Sequence, residues 1–131
     1  DNTHHSHYYD AKGIRNVYLG RYKRVDGRVV EGASLAKMVD ANAPDVGKLM
    51  RASLDKTMAA MSEIVRTAED GEAYDQMIAK GNTAGNAKVQ AAIDALAAQT
   101  RVIERVVAAL GLKKIAFEGS DSLDNPAKVG K

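Results

Sequence analysis

The sequence has no cysteine, no tryptophan, one phenylalanine and two prolines in 131 residues. Without thiols there is no disulfide, no thiolate metal site and no cysteine nucleophile, and such a chain suits the cytosol and the periplasm equally. With aromatics at only 5%, the core has to be assembled from Ala, Val, Leu, Ile and Met, a set that favours helices over sheets. No apolar run approaches the roughly 18 residues of a membrane span, and none reads as a secretory leader. A Lys/Arg block is also missing. The 19 basic and 17 acidic residues are interspersed and leave a net charge of +2, which argues against a nucleic-acid partner.

The length suits one domain that buries roughly two-thirds of its unfolded surface. The chain opens at Asp1, without Met, directly on a polar helix start. That is the pattern expected of the downstream part of a longer protein.

Helical spacing of Tyr8, Ala11, Arg15, Tyr18 and Tyr22 predicts a first helix from Thr3 to about Gly20, with Thr3 as its N-cap. Gly13 in its middle costs about 1 kcal/mol against Ala, so a close backbone approach is expected there. Asp26-Gly27 between Tyr22-Lys23-Arg24-Val25 and Arg28-Val29-Val30-Glu31 predicts a small surface β-hairpin, with positive φ at both turn residues. Ser34 is placed to cap a short helix from Leu35 to about Ala41.

Pro44 suits the first position of a long helix that Gly71 closes after Asp70. Val46, Met50, Leu54, Met58, Met61, Val65 and Ala68 form its apolar stripe, in which the methionines are core filler and not soft metal ligands. A Tyr74-centred turn and a breaker at Gly81-Asn82-Thr83-Ala84-Gly85 lead to a second long helix, about Asn86 to Leu110, with Gly111 as its cap. Val89, Ile93, Leu96, Thr100, Ile103, Val107 and Leu110 repeat every three or four residues, as in a helix packed along another helix. The two long helices are therefore expected to form an antiparallel αα-hairpin within an all-α, up-and-down helical bundle carrying the surface β-hairpin. The first helix is too short to cover the whole seam, so apolar surface is left for a further helix. Residues 1–112 read as this bundle part. Residues 113–131 read as an irregular tail anchored by Ile115 and Phe117.

All three histidines lie in Asp1-Asn2-Thr3-His4-His5-Ser6-His7-Tyr8-Tyr9-Asp10. His4 and His7 are three apart on a helix and Asp10 three further on, a spacing that can bring two imidazoles and a carboxylate to one metal ion. His5, about 100° further around the helix, is expected to point to solvent. Arg15 or Asn16 should face protein; Arg15 either pairs with Asp10 or an upstream acid or is a plain surface residue. Glu69, Asp70 and Glu72 read as solvated helix-end charges. No phosphate-binding glycine loop, Ser-His-Asp set or pair of catalytic carboxylates can be assembled.

Asp1-Asn2-Thr3-His4, followed by Gly13-Ile14-Arg15-Asn16-Val17-Tyr18-Leu19-Gly20 and Tyr22, resembles the segment "SDNTH…GI.NVYLG.Y" in the C-terminal half of imelysin-like proteins. The likeness continues more loosely to Leu110-Gly111-Leu112. It implies an all-α protein of two bundle-like halves around a site at their interface, exported to the periplasm or attached to the outer membrane, with a role in iron uptake. It also implies membership of a class of metallopeptidases. The G-x-H-x-x-E motif that would supply that family's main metal ligands is not found in this sequence, so no peptidase activity is expected of the chain alone.

The resemblance makes His4 the leading metal ligand, with His7 and Asp10 beside it. Asp1, Asn2 and Thr3 are expected to shape the turn, and Arg15, Asn16 and Tyr18 to support the site. A bound iron or zinc ion is expected to be held weakly by this chain alone. The expected partner is the upstream part of the same protein or a second copy. Two further readings are a zinc metallopeptidase whose motif lies elsewhere and a helical protein-interaction module.

Overall fold

A computed structural model describes residues 2–112. They form five helices and one β-hairpin: α1 (Thr3–Leu19), β1 (Arg21–Lys23), β2 (Val29–Glu31), α2 (Leu35–Asn42), α3 (Pro44–Glu69), α4 (Tyr74–Met77) and α5 (Thr83–Ala109). No helix among them is long and apolar enough to cross a membrane. The predicted anchors Ile115 and Phe117 lie outside the described residues.

Helix α1 begins one residue earlier than expected of its cap. Asn2 is the N-cap, Thr3 is already helical, and the Asn2 carbonyl accepts from the His5 and Ser6 N–H groups at 3.1 Å. Gly20 ends the helix in the left-handed region at φ 62°, where its N–H reaches the Asn16 and Val17 carbonyls. A Cβ at Gly20 would lie 2.6 Å from Ser34 Cβ and 2.7 Å from the Ala33 carbonyl oxygen, so the start of α2 leans directly on this backbone. Gly13 meets no such neighbour: a Cβ there would find nothing within 4 Å, and the expected close approach does not occur.

The hairpin pairs Arg21 with Glu31, Tyr22 with Val30 and Lys23 with Val29. Only Gly27 has positive φ, at 84°. The Gly27 N–H bonds the Arg24 carbonyl at 3.0 Å and the Arg24 N–H bonds the Arg28 carbonyl at 2.8 Å. The loop is therefore the three-residue kind, Val25-Asp26-Gly27, with one left-handed glycine. Asp26 stays in ordinary φ space, and its carboxylate accepts from the Arg28 N–H at 3.0 Å and from Arg28 Nε at 2.7 Å.

The Ser34 hydroxyl oxygen caps α2 by accepting from the Lys37 N–H at 3.2 Å. Pro44 opens α3, which shares its largest interface with α5 and lies between α5 and α1. The α3–α5 pairing is antiparallel, and contacts along it run in opposite chain directions. Met50 and Leu54 sit with Val106 in one buried cluster, Met61 and Ile64 sit with Val89 and Ala92 in the other, and between them Thr57 Oγ1 bonds Gln99 Oε1 at 2.7 Å. Tyr18, Ala36 and Val39 complete the first cluster and Ala11 and Met77 the second.

The face that α5 presents to α3 differs from the expected stripe. Val89 is buried as expected, but its companions are Gly85, Ala92, Ala95, Gln99 and Val106. Ile93 is 51% exposed, and Leu96 and Ile103 are half-buried at the edge of the clusters. The small side chains let the two backbones approach, and dispersion contact between close-packed helices outweighs burying larger residues across a wider gap. On α3, Thr57, Ile64 and Thr67 are buried where the stripe placed Met58, Val65 and Ala68.

Helix α5 also starts earlier than the glycine-rich stretch suggested. The Asn82 side chain accepts from the Gly85 N–H at 2.9 Å and donates to Glu72 Oε1 at 2.5 Å and to the Gln76 carbonyl at 2.8 Å. Gly85 is also a close approach, since a Cβ there would fall 2.6 Å from Met77 Cα.

Candidate functional site

The histidine-bearing first turns of α1 lie against the C-terminal end of α3. Tyr8 and Ala11 pack with the cluster of Met61, Ile64 and Met77, which turns the face carrying His4 partly inward. His4 is half-buried, and its Nδ1 is fully buried with no hydrogen-bond partner among the described residues. The nearest aromatic neighbour of His4 is the ring of His5, 4.4 Å away between centroids. His5 is half-buried and does not project into solvent as helical phase alone suggested; its Nε2 lies 4.0 Å from Glu69 Oε1. The reason is the packing of α1, which runs antiparallel along α3, with Tyr18 in the cluster of Met50 and Leu54, Arg15 on Asp55, Ala11 in the cluster of Met61 and Ile64 and His5 beside Glu69, so that positions 4, 5 and 8 are all partly buried.

His7 is exposed and stacks at 5.2 Å on Tyr74. It stands at the lip of an apolar cavity of about 120 Å³ lined by Met61, Ile64, Val89, Ile93 and Leu96. Asp10 is exposed. Asp1 lies outside the described residues, and Asn2 and Thr3 form the helix start as described above. Among the described residues no three His, Asp or Glu side chains are gathered closely enough to hold a metal ion.

Arg15, Asn16 and Tyr18 are not brought to the histidines. On a helix rising about 1.5 Å per residue they stand roughly 16 to 21 Å along the axis from His4. Arg15 pairs with Asp55 of α3 at 3.2 Å, and not with Asp10. Tyr18 is 4% exposed, and its hydroxyl is buried with no hydrogen-bond partner among the described residues. Burial raises the Tyr18 pKa above the ordinary tyrosine value, with smaller opposing contributions from Arg51 and Asp40. These last two form a two-pronged pair between α2 and α3, at 2.7 and 2.5 Å. The hydrogen bonds from Arg51 hold the Asp40 carboxyl below the usual carboxylate range.

Two neighbours of the histidines, Tyr74 and Glu69, and the burial of His4 Nδ1 were not legible in sequence. They depend on how α1 lies along α3.

No curated protein matches the chain. The model of the family described as Imelysin matches residues 1–103, from the histidine-bearing turns through the hairpin and most of α5. That span includes every element on which the half-buried His4 depends, and the chain belongs to the imelysin family.

Proposed function

We propose that this chain supplies one wall of a metal-ion site in an imelysin-type protein, with the His4 imidazole as its leading ligand. The observation that carries this is His4 Nδ1, which is buried without a hydrogen-bond partner among the described residues. An unsatisfied buried polar atom costs about 1–3 kcal/mol, and a ligand that accepts its lone pair removes that cost. The His5 ring stands next to that of His4, 4.4 Å away between centroids, and we take this adjacent imidazole, rather than the exposed His7 or Asp10, as the second donor. Two nitrogen donors fall short of the four of a closed zinc site. The remaining ligands would come from a second wall: the upstream part of the same protein, or a second copy.

Iron or zinc suits imidazole donors. When bound, such an ion would supply Lewis acidity. The G-x-H-x-x-E motif is not in this sequence, and we assign these residues metal binding and no catalytic step. Handling of iron at the periplasmic face of an envelope is the setting that family membership suggests. The apolar residues that α5 leaves outside its seam, Ile93 first among them at 51% exposed, give a second wall something to pack on.

Calorimetric titration of the chain with Zn²⁺, and with Fe²⁺ under anaerobic conditions, tests the proposal. Binding is expected to be weak, to weaken further in acid because neutral imidazole is the ligand, to vanish in His4→Ala, to fall in His5→Ala and to persist in His7→Ala. Equal affinity in the wild type and His4→Ala would remove His4 from the site.

A further inference from the structure

Arg21 and Lys23 are two apart on β1, so they share one face of the hairpin. Lys12 and Arg15 are three apart on α1, so they share one face of the helix. The chain reversal at Gly20 brings these two faces together around a concavity of about 210 Å³. Its floor is apolar, from Leu19 and Val29, and the Asn16 amide lies at its wall.

Four cations thus line one small depression. The charges facing them from neighbouring elements are few: Asp55 on α3 takes Arg15 at 3.2 Å, and Glu31 on β2 takes Arg21 Nε at 3.1 Å. Both pairs are solvent-exposed and contribute little binding energy, but they hold the guanidinium groups in place while using only part of each five-donor fork. Among the described residues no carboxylate pairs with Lys12 or Lys23. Lys12 Nζ lies over the Tyr8 and Tyr9 rings, at 5.8 and 5.3 Å from their centroids. A depression lined by one sign of charge over an apolar floor concentrates field and attracts counter-charge.

We propose that this depression is a binding site for a small polyvalent oxyanion, one carrying at least two phosphate or carboxylate charges. A monovalent anion would leave one of the two ammonium groups, which have no carboxylate partner among the described residues, unneutralised. A polyvalent anion engages both, and the unused guanidinium donors can close on its oxygens in charge-assisted bonds. The site is separate from the His4 wall, because Arg15 stands roughly 16 Å along α1 from it.

The test is an NMR and calorimetric titration of the full chain at physiological salt with inorganic pyrophosphate, with a tricarboxylate and with acetate as the monovalent control. Pyrophosphate or the tricarboxylate should bind saturably and at least about tenfold more tightly than acetate, and the tighter of the two identifies the headgroup. Amide shifts should concentrate at residues 12–23 and 29–31. The double variant Lys12→Gln, Lys23→Gln should lose about tenfold or more in that affinity. Lys37→Gln, Lys48→Gln, an equal charge change elsewhere, should stay within about twofold. All these side chains are at least partly exposed, and circular dichroism should show both variants folded. Equal losses in the two double variants, or acetate binding as tightly as the polyvalent anions, would overturn the proposal and leave only diffuse attraction.

Discussion

Three glycines of one segment separate backbone conformation, steric contact and helix propensity, and replacing each by alanine should give three different results. Gly13 lies inside α1 with open space where a Cβ would go. Alanine there gains the helix propensity that glycine lacks, and stability should rise by about 0.5–1 kcal/mol, which in a domain of this size is about 2–5 °C. Gly27 has φ 84° in the hairpin loop and also meets nothing within 4 Å. Alanine there bears only the left-handed penalty, about 1–2 kcal/mol. Gly20 has φ 62° and in addition would drive a Cβ to 2.7 Å from the Ala33 carbonyl oxygen and 2.6 Å from Ser34 Cβ. Its neighbours are backbone and the first atom of a side chain, neither of which can swing away, so the loss should exceed that at Gly27 by about 1–3 kcal/mol. Urea unfolding followed by far-UV circular dichroism, with the denaturant slope checked for constancy, measures all three. The reasoning fails if Gly13→Ala is destabilising, or if Gly20→Ala and Gly27→Ala lose the same amount.

Leu54, 1% exposed, and Ile93, 51% exposed, test the seam: Leu54→Ala should cost about 2–5 kcal/mol and Ile93→Ala about 0.5 or less in the same unfolding assay. Tyr18→Phe removes a buried hydroxyl that has no hydrogen-bond partner among the described residues, so the variant should be as stable as the wild type or more stable by about 1 kcal/mol; a loss beyond about 1 kcal/mol would mean the hydroxyl is in fact bonded. The Asp40 carboxyl is held below its ordinary range mainly by hydrogen bonds from Arg51, so its stabilising contribution is present above the unfolded-state aspartate value and is lost as pH falls through the lower folded-state value. Asp40→Asn should accordingly flatten the acid limb of a stability-versus-pH curve. An acid limb as steep as the wild type's would contradict the pairing.

Local chemistry was legible in the sequence wherever one residue decides the outcome. Pro44 at the first helical position, Ser34 as a cap and Gly71 as the stop after Asp70 each act through their own backbone or side chain. The phase of α5 was not legible, because the seam chose Ala92, Ala95 and Gln99 over Ile93 and Ile103. A pattern of large apolar residues cannot show how closely two backbones will approach. Gly13 and Gly85 make the same point in opposite directions: the isolated glycine in a helix has empty space beside it, and the one hidden in an apparent breaker carries the tight contact. At the candidate site, three-residue spacing set His4 beside His7, but in the fold the His4 ring lies 4.4 Å from that of His5 and the His7 ring 5.2 Å from that of Tyr74. The basic depression had a sequence signal in the two-residue spacing of Arg21 and Lys23, yet only the reversal at Gly20 brings it to Lys12 and Arg15.

The most direct test of the proposed metal-binding wall is an imidazole-selective ¹⁵N NMR titration with Zn²⁺, which reads each histidine nitrogen separately. The expected result is that the Nδ1 signal of His4 moves first, His5 responds with it and His7 stays where it was. Movement of His7 alone, or three unmoved imidazoles at saturating zinc, would contradict the assignment of the buried, unpartnered His4 nitrogen as a metal ligand.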